Sequence, residues 1–245
     1  MQKNYTTLFI VWVITTAITL FVMSQLHPFP THGASEADIV DNAFSALLYL
    51  GSPVFALVIA VMAVSLVKFR ASGPDEDGAY LRGTGALPKV WLVITAALCG
   101  LMIVWPGLTG LAELRAHAES PTMNVKVTGA RWSWTVEYPD AGVKITAKEP
   151  MVLPEGERIR FDVTAIDVLH AFWIPAFRLK VDAVPGQITT VTVNPDALGE
   201  FDKDVAYRLQ CAELCGLQHA NMSMPVRVVS KADFDTWLRD KKAKQ

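Results

Sequence analysis

Cysteine and histidine are scarce in this chain, which has three cysteines and five histidines among 245 residues. Charged residues are also few, at 19% of the sequence, and nearly all of them lie before residue 4, between residues 68 and 89, and after residue 112. The sequence has no internal repeat or low-complexity tract, which excludes a repeat architecture. Charge placed so unevenly argues against one uniform domain and predicts two unlike parts.

Three apolar runs fill the regions without charge, at residues 8–26, 43–67 and 90–111. A helix needs about 20 residues to cross roughly 30 Å of hydrocarbon, and each run is long enough to do so. We therefore predict membrane-spanning helices, with residues 36–115 forming a transmembrane helical hairpin.

The placement of basic residues predicts the orientation of these helices. Lys68, Arg70, Arg82 and Lys89 lie between the second and third runs, whereas residues 27–42 contain neither Lys nor Arg. Short cytoplasmic loops carry the excess of positive charge. The sequence therefore places the loop 68–89 in the cytoplasm and everything after residue 111 on the extracytoplasmic side.

The N-terminal hydrophobic segment, residues 1–35, has two interpretations. A basic residue at Lys3, an apolar stretch and a polar end at "THGAS" are typical of a secretory signal peptide. However, the apolar run is long for a signal peptide, and a cut after Ala34 would put the bulky His32 at the third position upstream. These features favour a retained signal anchor, and the sequence leaves both alternatives open.

After residue 116 the hydrophobic period changes. Segments such as "NVKVTGARWSWTVEY" and "ERIRFDVTAIDVL" alternate apolar and polar residues, and clusters of Pro, Gly, Asn and Asp separate them. Short strands at this spacing predict an all-β sandwich or barrel over residues 116–230. A helix over residues 231–245 follows, with Phe234, Trp237 and Leu238 on one face.

The stretch "CAELCGLQHANMSM", residues 211–224, concentrates Cys211, Cys215, His219 and two methionines. In an extracytoplasmic domain, two nearby cysteines ordinarily indicate a disulfide. Thiolate, thioether and imidazole are also the ligands that select copper, and His170, 41 positions before Cys211, has the spacing of the upstream histidine in blue-copper sites. Two thiolates on one loop could each bridge two metal ions, which suits electron transfer.

Three segments carry a resemblance to one family. "CAELCGLQHANM" resembles the C-x-E-x-C-x3-H-x2-M loop of the CuA centre in cytochrome c oxidase subunit II. "DVLHAFWIPAFRLKVDAVPG" is similar to the family segment with the first histidine, and "GARWSWTVEY" to its aromatic segment. The resemblance implies N-terminal transmembrane α-helices followed by an all-β cupredoxin domain with Greek-key connections and a short C-terminal helix.

The resemblance also implies six ligands for a binuclear copper centre, CuA: His170, Cys211, Glu213, Cys215, His219 and Met222. In the family the two cysteines bridge both coppers; the first histidine and the methionine complete one copper, and the second histidine and the glutamate carbonyl complete the other. The Glu213 side chain would then face the catalytic subunit, where the family uses this residue for Mg²⁺ or Mn²⁺. Met224 could rival Met222 as the thioether ligand, but the H-x2-M spacing favours Met222.

Trp132 and Trp134 have different expected roles. Tryptophans two residues apart on a strand normally fill one face of a sandwich. In the family the first tryptophan of this segment receives the electron from cytochrome c, which points to Trp132. The sequence departs from the family in having Ser133 between the two tryptophans, and Ala130 and Arg131 before them.

The resemblance implies an electron-accepting subunit of a haem-copper terminal oxidase. It would take electrons from cytochrome c and pass them to haem in subunit I, where oxygen is reduced to water; its partners would be the other oxidase subunits and the membrane, and not nucleic acid. The implied location is a bacterial plasma membrane. The alternative is a CuA subunit of a nitric oxide reductase, which would share the ligands and differ in its partner subunit, or of another haem-copper oxidase subtype with a different donor. Pro88 stands where the family commonly has a glutamate at a proton entrance, which leaves a different entrance or oxidase subtype open.

Overall fold

The computed structural model describes residues 2–68, 70, 85–146 and 149–244, and the side chains of these except residues 2–4. Arg82 and most of the predicted cytoplasmic loop lie outside the described residues, as does the side chain of Lys3. Within the described residues the chain forms two compact units, Met1–Pro28 with Asn42–Thr109, and Phe29–Asp41 with Gly110–Gln245.

The first unit consists of long apolar helices. Helix α1 covers Gln2–Gln25, α2 covers Ser35–Lys68 and α3 covers Ala86–Met102. A π-helical segment, Ile103–Leu108, joins α3 to α4, Thr109–His117. Three stretches among the described residues are long and apolar enough to cross a membrane: Tyr5–Gln25, Ser35–Lys68 and Ala86–His117. The predicted transmembrane helices are thus confirmed.

Prolines mark the departures from regular helix. The third predicted span was one continuous run, but Pro106 lies inside the π-helical segment and Trp105 before it has extended φ and ψ of −136° and 123°. Proline disfavours the helical conformation of the preceding residue, which explains the interruption. Pro53 lies within α2, and its carbonyl accepts a hydrogen bond of 2.8 Å from the Trp12 indole of α1. Pro88 lies in the first turn of α3, where a missing N–H breaks no helical hydrogen bond.

Within its described residues, the second unit is built on eleven strands. They are β1 Met123–Ala130, β2 Ser133–Tyr138, β3 Val143–Thr146, β4 Met151–Pro154, β5 Ile159–Ala165, β6 His170–Trp173, β7 Lys180–Ala183, β8 Thr189–Val193, β9 Gly199–Glu200, β10 Arg208–Cys211 and β11 Ser223–Val229. One sheet has the order β3-β2-β1-β5-β8, and the other β4-β11-β10-β6-β7, with β9 paired to β11. The parallel pairs β1–β5 and β4–β11 require crossovers between the sheets, as in Greek-key sandwiches. The predicted all-β domain is confirmed.

The core follows from the alternation along the strands. On β2, Trp134, Val136 and Tyr138 are buried, and the residues between them are more exposed. Helix α5, Lys231–Lys242, is capped at its N-terminus by Ser230, whose hydroxyl accepts a 3.2 Å hydrogen bond from the Asp233 amide. Its aromatic side chains pack against Tyr138, whose ring centroid is 5.3 Å from that of Trp237. The C-terminal helix and its apolar face are as predicted.

The segment Phe29–Asp41 belongs to the second unit. Arg178 donates hydrogen bonds to both carboxylate oxygens of Asp41, at 2.7 and 2.8 Å, and the Gly33 amide donates to the Ala176 carbonyl at 3.0 Å. The sequence instead divided the chain after residues 35, 115 and 230, and those domain boundaries stay a prediction. The sequence offers no local signal for this packing, because it depends on contacts with residues more than 130 positions away.

Candidate metal centre

The predicted ligands lie at one end of the sheet that contains β6 and β10. These two strands are antiparallel neighbours, with Cys211 opposite Phe172. His170 therefore begins β6 near the point where Cys211 ends β10. The loop after Cys211 returns to β11, and the Cys211 amide donates to the Met222 carbonyl at 3.0 Å. Strand pairing thus brings the upstream histidine to the cysteine loop.

The distances between donor atoms are short and even. The sulfur atoms of Cys211 and Cys215 are 3.7 Å apart. Cys211 Sγ is 3.7 Å from His170 Nδ1 and donates across 3.1 Å to the carbonyl oxygen of Glu213. Cys215 Sγ is 3.6 Å from His219 Nδ1 and 3.8 Å from Met222 Sδ. All six predicted ligands are therefore brought together.

These spacings fit metal ligands better than a disulfide. Both cysteines are free thiols, and their 3.7 Å separation is well beyond the roughly 2.0 Å of a sulfur–sulfur bond. An ion about 2.0–2.3 Å from each donor in tetrahedral geometry holds its ligands roughly 3.3–3.8 Å apart. Thiolate, imidazole and thioether are soft donors, so the residues present fit copper.

The centre is mostly closed to solvent. His170 is fully buried, and Cys211, Cys215 and Met222 are 6, 5 and 1% exposed. Met224 is buried on β11 opposite Leu209, in the hydrophobic core. Because Met222 is the methionine beside the cysteine sulfurs, the geometry agrees with the spacing argument for Met222.

The Cys215 thiol has a perturbed pKa. Burial raises the pKa of the Cys215 thiol, and the hydrogen bond and charge of nearby Cys211 raise it further, to about 11. Two thiolates at this distance repel each other, so a cation is needed before both can lose their protons. Metal binding at this site must therefore release protons.

Asp167 is a residue of the site that the sequence reasoning did not single out as a supporting group. Its Oδ1 is 2.9 Å from His170 Nε2 and accepts from the Val168 amide at 2.7 Å. Its Oδ2 accepts from the amide and Nε of Arg131, at 2.9 and 3.0 Å. The contact between Asp167 Oδ1 and His170 Nε2 fixes the imidazole ring so that its Nδ1 faces Cys211. The position of Asp167, three residues before the histidine, was the available signal.

The hydrogen bonds around Asp167 keep it ionised. Burial raises the pKa of its carboxyl, but the hydrogen bonds from the Arg131 amide, the His170 ring, the Val168 amide and the Arg131 guanidinium outweigh that effect. Together they hold the pKa well below its ordinary value. A permanent negative charge is therefore available to His170 on the side away from the sulfurs.

Trp134 packs behind the site. It is fully buried, and its ring lies edge-on to the His170 ring with centroids 6.0 Å apart. A Cβ atom at Gly129, on the neighbouring strand, would lie 3.1 Å from both rings. A side chain at this position would require one of the two rings to shift by a few tenths of an ångström, so the backbone approaches them closely.

Trp132 lies at the surface end of the site. It is half-buried in the turn between β1 and β2, and its indole Nε1 donates to the Cys215 carbonyl at 3.3 Å. Its ring is also close to Gly216, which has φ of +117°. The expectation that both tryptophans share a strand face does not apply, because β2 begins at Ser133.

Two packed sheets with a cysteine- and histidine-bearing loop at one end, in a chain with membrane-length helices, define a membrane protein with a cupredoxin domain. Residues 142–230 match the family model described as cytochrome c oxidase subunit II, periplasmic domain. Together with a relative that is 31% identical and of which this chain covers 71%, this match shows that the chain belongs to the cytochrome c oxidase subunit II family.

The curated relatives carry the same name. Cytochrome c oxidase subunit 2 of Alkalihalophilus pseudofirmus is 32% identical over 206 residues, covering 82% of this chain and 57% of the relative. The protein of that name from Brettanomyces custersianus is 31% identical over 183 residues, covering 65% of this chain and 71% of the relative. This chain thus spans little more than half the length of the Alkalihalophilus relative.

A solved structure is also similar. The periplasmic domain of subunit II of cytochrome oxidase from Bradyrhizobium japonicum has 32% sequence identity and a TM-score of 0.48, covering 52% of this chain and 98% of that chain.

Proposed function

We propose that the β-domain holds a binuclear copper centre of the CuA type and serves as the electron-accepting subunit of a haem-copper oxidase. The observation that carries this proposal is the pair of free thiols 3.7 Å apart, each within 3.7 Å of its own imidazole nitrogen. A single-copper loop needs only one cysteine. The second, equally surrounded thiol supports two metal ions.

The donor set divides into two groups. Cys211 and Cys215 would hold both ions, with His170 and Met222 as the remaining ligands of one and His219 and the Glu213 carbonyl as those of the other. His170 lies beside the Cys211 sulfur and Met222 beside the Cys215 sulfur, which is compatible with a shared ion if both thiolates hold it. When bound, the copper pair would supply a one-electron acceptor.

The chain's own contribution is a fixed and closed ligand set. Strand pairing holds His170 and Cys211, and burial of the sulfurs excludes water from the site. Six donors for two ions leave no position for a substrate. This closure supports electron transfer rather than chemistry on a bound molecule.

The surface around Trp132 supports docking of an electron donor such as cytochrome c. Five large apolar side chains in the loops at this end of the domain are 41–93% exposed: Ile166, Leu169, Ile188, Leu214 and Leu217. The nearby charges of Arg131 and Asp167 neutralise each other. Several large apolar side chains exposed at one end of a domain support an interaction site there. Trp132, which touches the cysteine loop, is the group through which electrons would enter.

Glu213 offers a second contact. Its carbonyl faces Cys211, while its side chain is exposed and available to a partner subunit. We infer that this carboxylate shares a Mg²⁺ or Mn²⁺ ion with haem-bearing subunit I. The membrane-length helices and the periplasmic description of the matched domain support a position in a bacterial plasma membrane, with the copper domain outside the cytoplasm.

The proposal is tested with the purified full chain in detergent. After copper loading we expect two copper ions per chain, and rapid reduction of the centre by reduced cytochrome c. A matched variant, Cys99→Ser, removes the exposed cysteine outside the site and should leave both results unchanged. One copper per chain, or no reduction by any c-type donor, would contradict the proposal.

A further inference from the structure

A second polar cluster lies away from the thiol centre, in the unit that contains the β-domain. Among the described residues, six buried side-chain nitrogen or oxygen atoms have no hydrogen-bond partner, and four of these belong to one neighbourhood. These four atoms are Ser35 Oγ, Glu36 Oε1, His117 Nδ1 and Asn194 Oδ1. Because buried polar atoms are nearly always paired, such a concentration requires partners from outside the chain, either water or a ligand.

Three separate segments of the chain supply these atoms. Ser35 and Glu36 begin α2, His117 ends α4, and Asn194 follows β8. The Ser35 amide donates to the Asn194 carbonyl at 3.1 Å, and the Asn194 amide donates to Glu36 Oε2 at 2.9 Å. The backbone therefore fixes one oxygen of the carboxylate and leaves the other free.

Glu36 is 1% exposed, and its free Oε1 lies 3.4 Å from Nδ1 of His117. An ionised donor and acceptor in a direct hydrogen bond would normally be about 2.7–2.9 Å apart. A bridging water would hold the two atoms at roughly 4.5 Å, since each of its hydrogen bonds is about 2.8 Å long. The observed distance lies between these two values and within the range of an ion pair.

The same distance fits two ligands of one metal ion. Zinc binds histidine nitrogen at about 2.0–2.1 Å and carboxylate oxygen at about 2.0–2.2 Å, so tetrahedral geometry separates the two donors by roughly 3.4 Å. The hydrogen bond to Glu36 Oε2 also orients the carboxylate, as outer-shell partners do in metal sites.

We propose that Glu36 and His117 are ligands of a second metal site, for a divalent transition ion such as Zn²⁺. The Asn194 side-chain oxygen and the Ser35 hydroxyl, both buried without a hydrogen-bond partner, are the candidates for further ligands. Imidazole with oxygen ligands suits zinc, in contrast to the soft sulfur set of the copper centre. The ion would join the start of α2, the end of α4 and the β-sandwich, a structural role independent of electron transfer.

The test uses the full chain in detergent with the thiol centre already filled with copper, so that the cysteines cannot take up zinc. Zinc is then titrated and counted after dialysis. We expect one tightly held zinc per chain, a raised melting temperature, and zinc X-ray absorption that shows nitrogen and oxygen ligands without sulfur. Glu36→Gln and His117→Gln should each weaken zinc binding by at least about 10–100-fold, the range that loss of even an outer-shell partner causes.

His32→Gln is the matched control. His32 contacts Asp38 and Asp196 through its two ring nitrogens, at 3.1 and 2.9 Å, on the surface of the same unit. This variant should bind zinc as the unmodified chain does. His117→Gln decides the matter even if Glu36→Gln does not fold, because His117 is one-third exposed and its variant can be checked by its copper spectrum.

Three results would overturn the proposal. The first is an unmodified chain that retains no zinc, and the second is a sulfur shell in the absorption spectrum. The third is equal zinc binding by the unmodified chain and His117→Gln, which would indicate an adventitious ion only.

Discussion

At the scale of single residues, substitutions in the copper loop should distinguish bridging ligands from terminal ligands. Cys211→Ser or Cys215→Ser should abolish the binuclear site, because each removes a contact to both ions. Met222→Leu should retain copper and shift its reduction potential, since a thioether is a weak, long ligand. Copper content and redox titration measure both effects.

Met224→Leu is the control for that comparison. Met224 is as buried as Met222 but faces the core, so a swap that conserves volume should leave the potential unchanged and cost less than about 1.5 kcal/mol. If both methionine variants shift the potential equally, or if Met222→Leu loses copper as completely as the cysteine variants, the assignment of Met222 is wrong.

The two tryptophans should respond differently to removal. Trp132→Ala should slow electron transfer from cytochrome c by orders of magnitude with little effect on the copper spectrum, because it removes the indole that contacts the Cys215 carbonyl. Trp134→Ala should cost about 3–5 kcal/mol of unfolding free energy, as expected for a fully buried tryptophan. Stopped-flow rates and melting curves, recorded on both variants, test this; a reversed pattern would contradict it.

Asp167 should act through the histidine it orients. Asp167→Asn keeps the shape but weakens the hold on His170 Nε2, so we expect copper affinity to fall about 10–100-fold, as for other outer-shell partners. Asp162→Asn is the control, since Asp162 pairs with Arg160 on β5. Competition with a copper chelator measures the affinity, and equal effects in both variants would refute the positioning role.

At the scale of elements, the period of the hydrophobic residues predicted whether a segment is a helix or a strand, but it did not predict where a helix is interrupted. Charge-free runs identified the membrane helices, and alternation identified β1, β2 and β5, because burial on one face leaves a periodic trace. The π-helical segment at Pro106 was not predicted, since a long apolar run hides the backbone effect of one proline.

In the site too, some residues could be predicted from the local sequence and others could not. The loop from Cys211 to Met222 is local in sequence, so residue types and spacing could predict its donors. Asp167 and Gly129 could not be predicted with the same assurance. Gly129 lies close to His170 through tertiary packing, and Asp167 is held in place partly by Arg131, which is 36 positions away in the sequence.

Arg178 should stabilise the second unit through the segment Phe29–Asp41. Its side chain is 8% exposed and donates to both oxygens of Asp41, so Arg178→Ala should cost about 3–5 kcal/mol by leaving a largely buried carboxylate unpaired. Arg160→Ala, at a pair whose arginine is 45% exposed, should cost less than about 1 kcal/mol. Thermal unfolding of the two variants compares them; equal stability would contradict this role of the segment.

At the scale of the whole molecule, composition revealed two unlike parts but not where one ends. Residues 29–41 lie between two apolar runs in the sequence, yet they belong to the compact unit of the β-domain. Tertiary contacts such as the Arg178–Asp41 pair decide this, and they leave no periodic signal. A protein preparation meant to represent the copper domain should therefore retain this segment.

The central claim is that one chain holds two coppers that share an electron. Electron paramagnetic resonance of the fully copper-loaded chain tests it most directly. A mixed-valence pair bridged by Cys211 and Cys215 should give a seven-line hyperfine pattern, because one unpaired electron is spread over two copper nuclei. A four-line spectrum from a single copper would contradict the account.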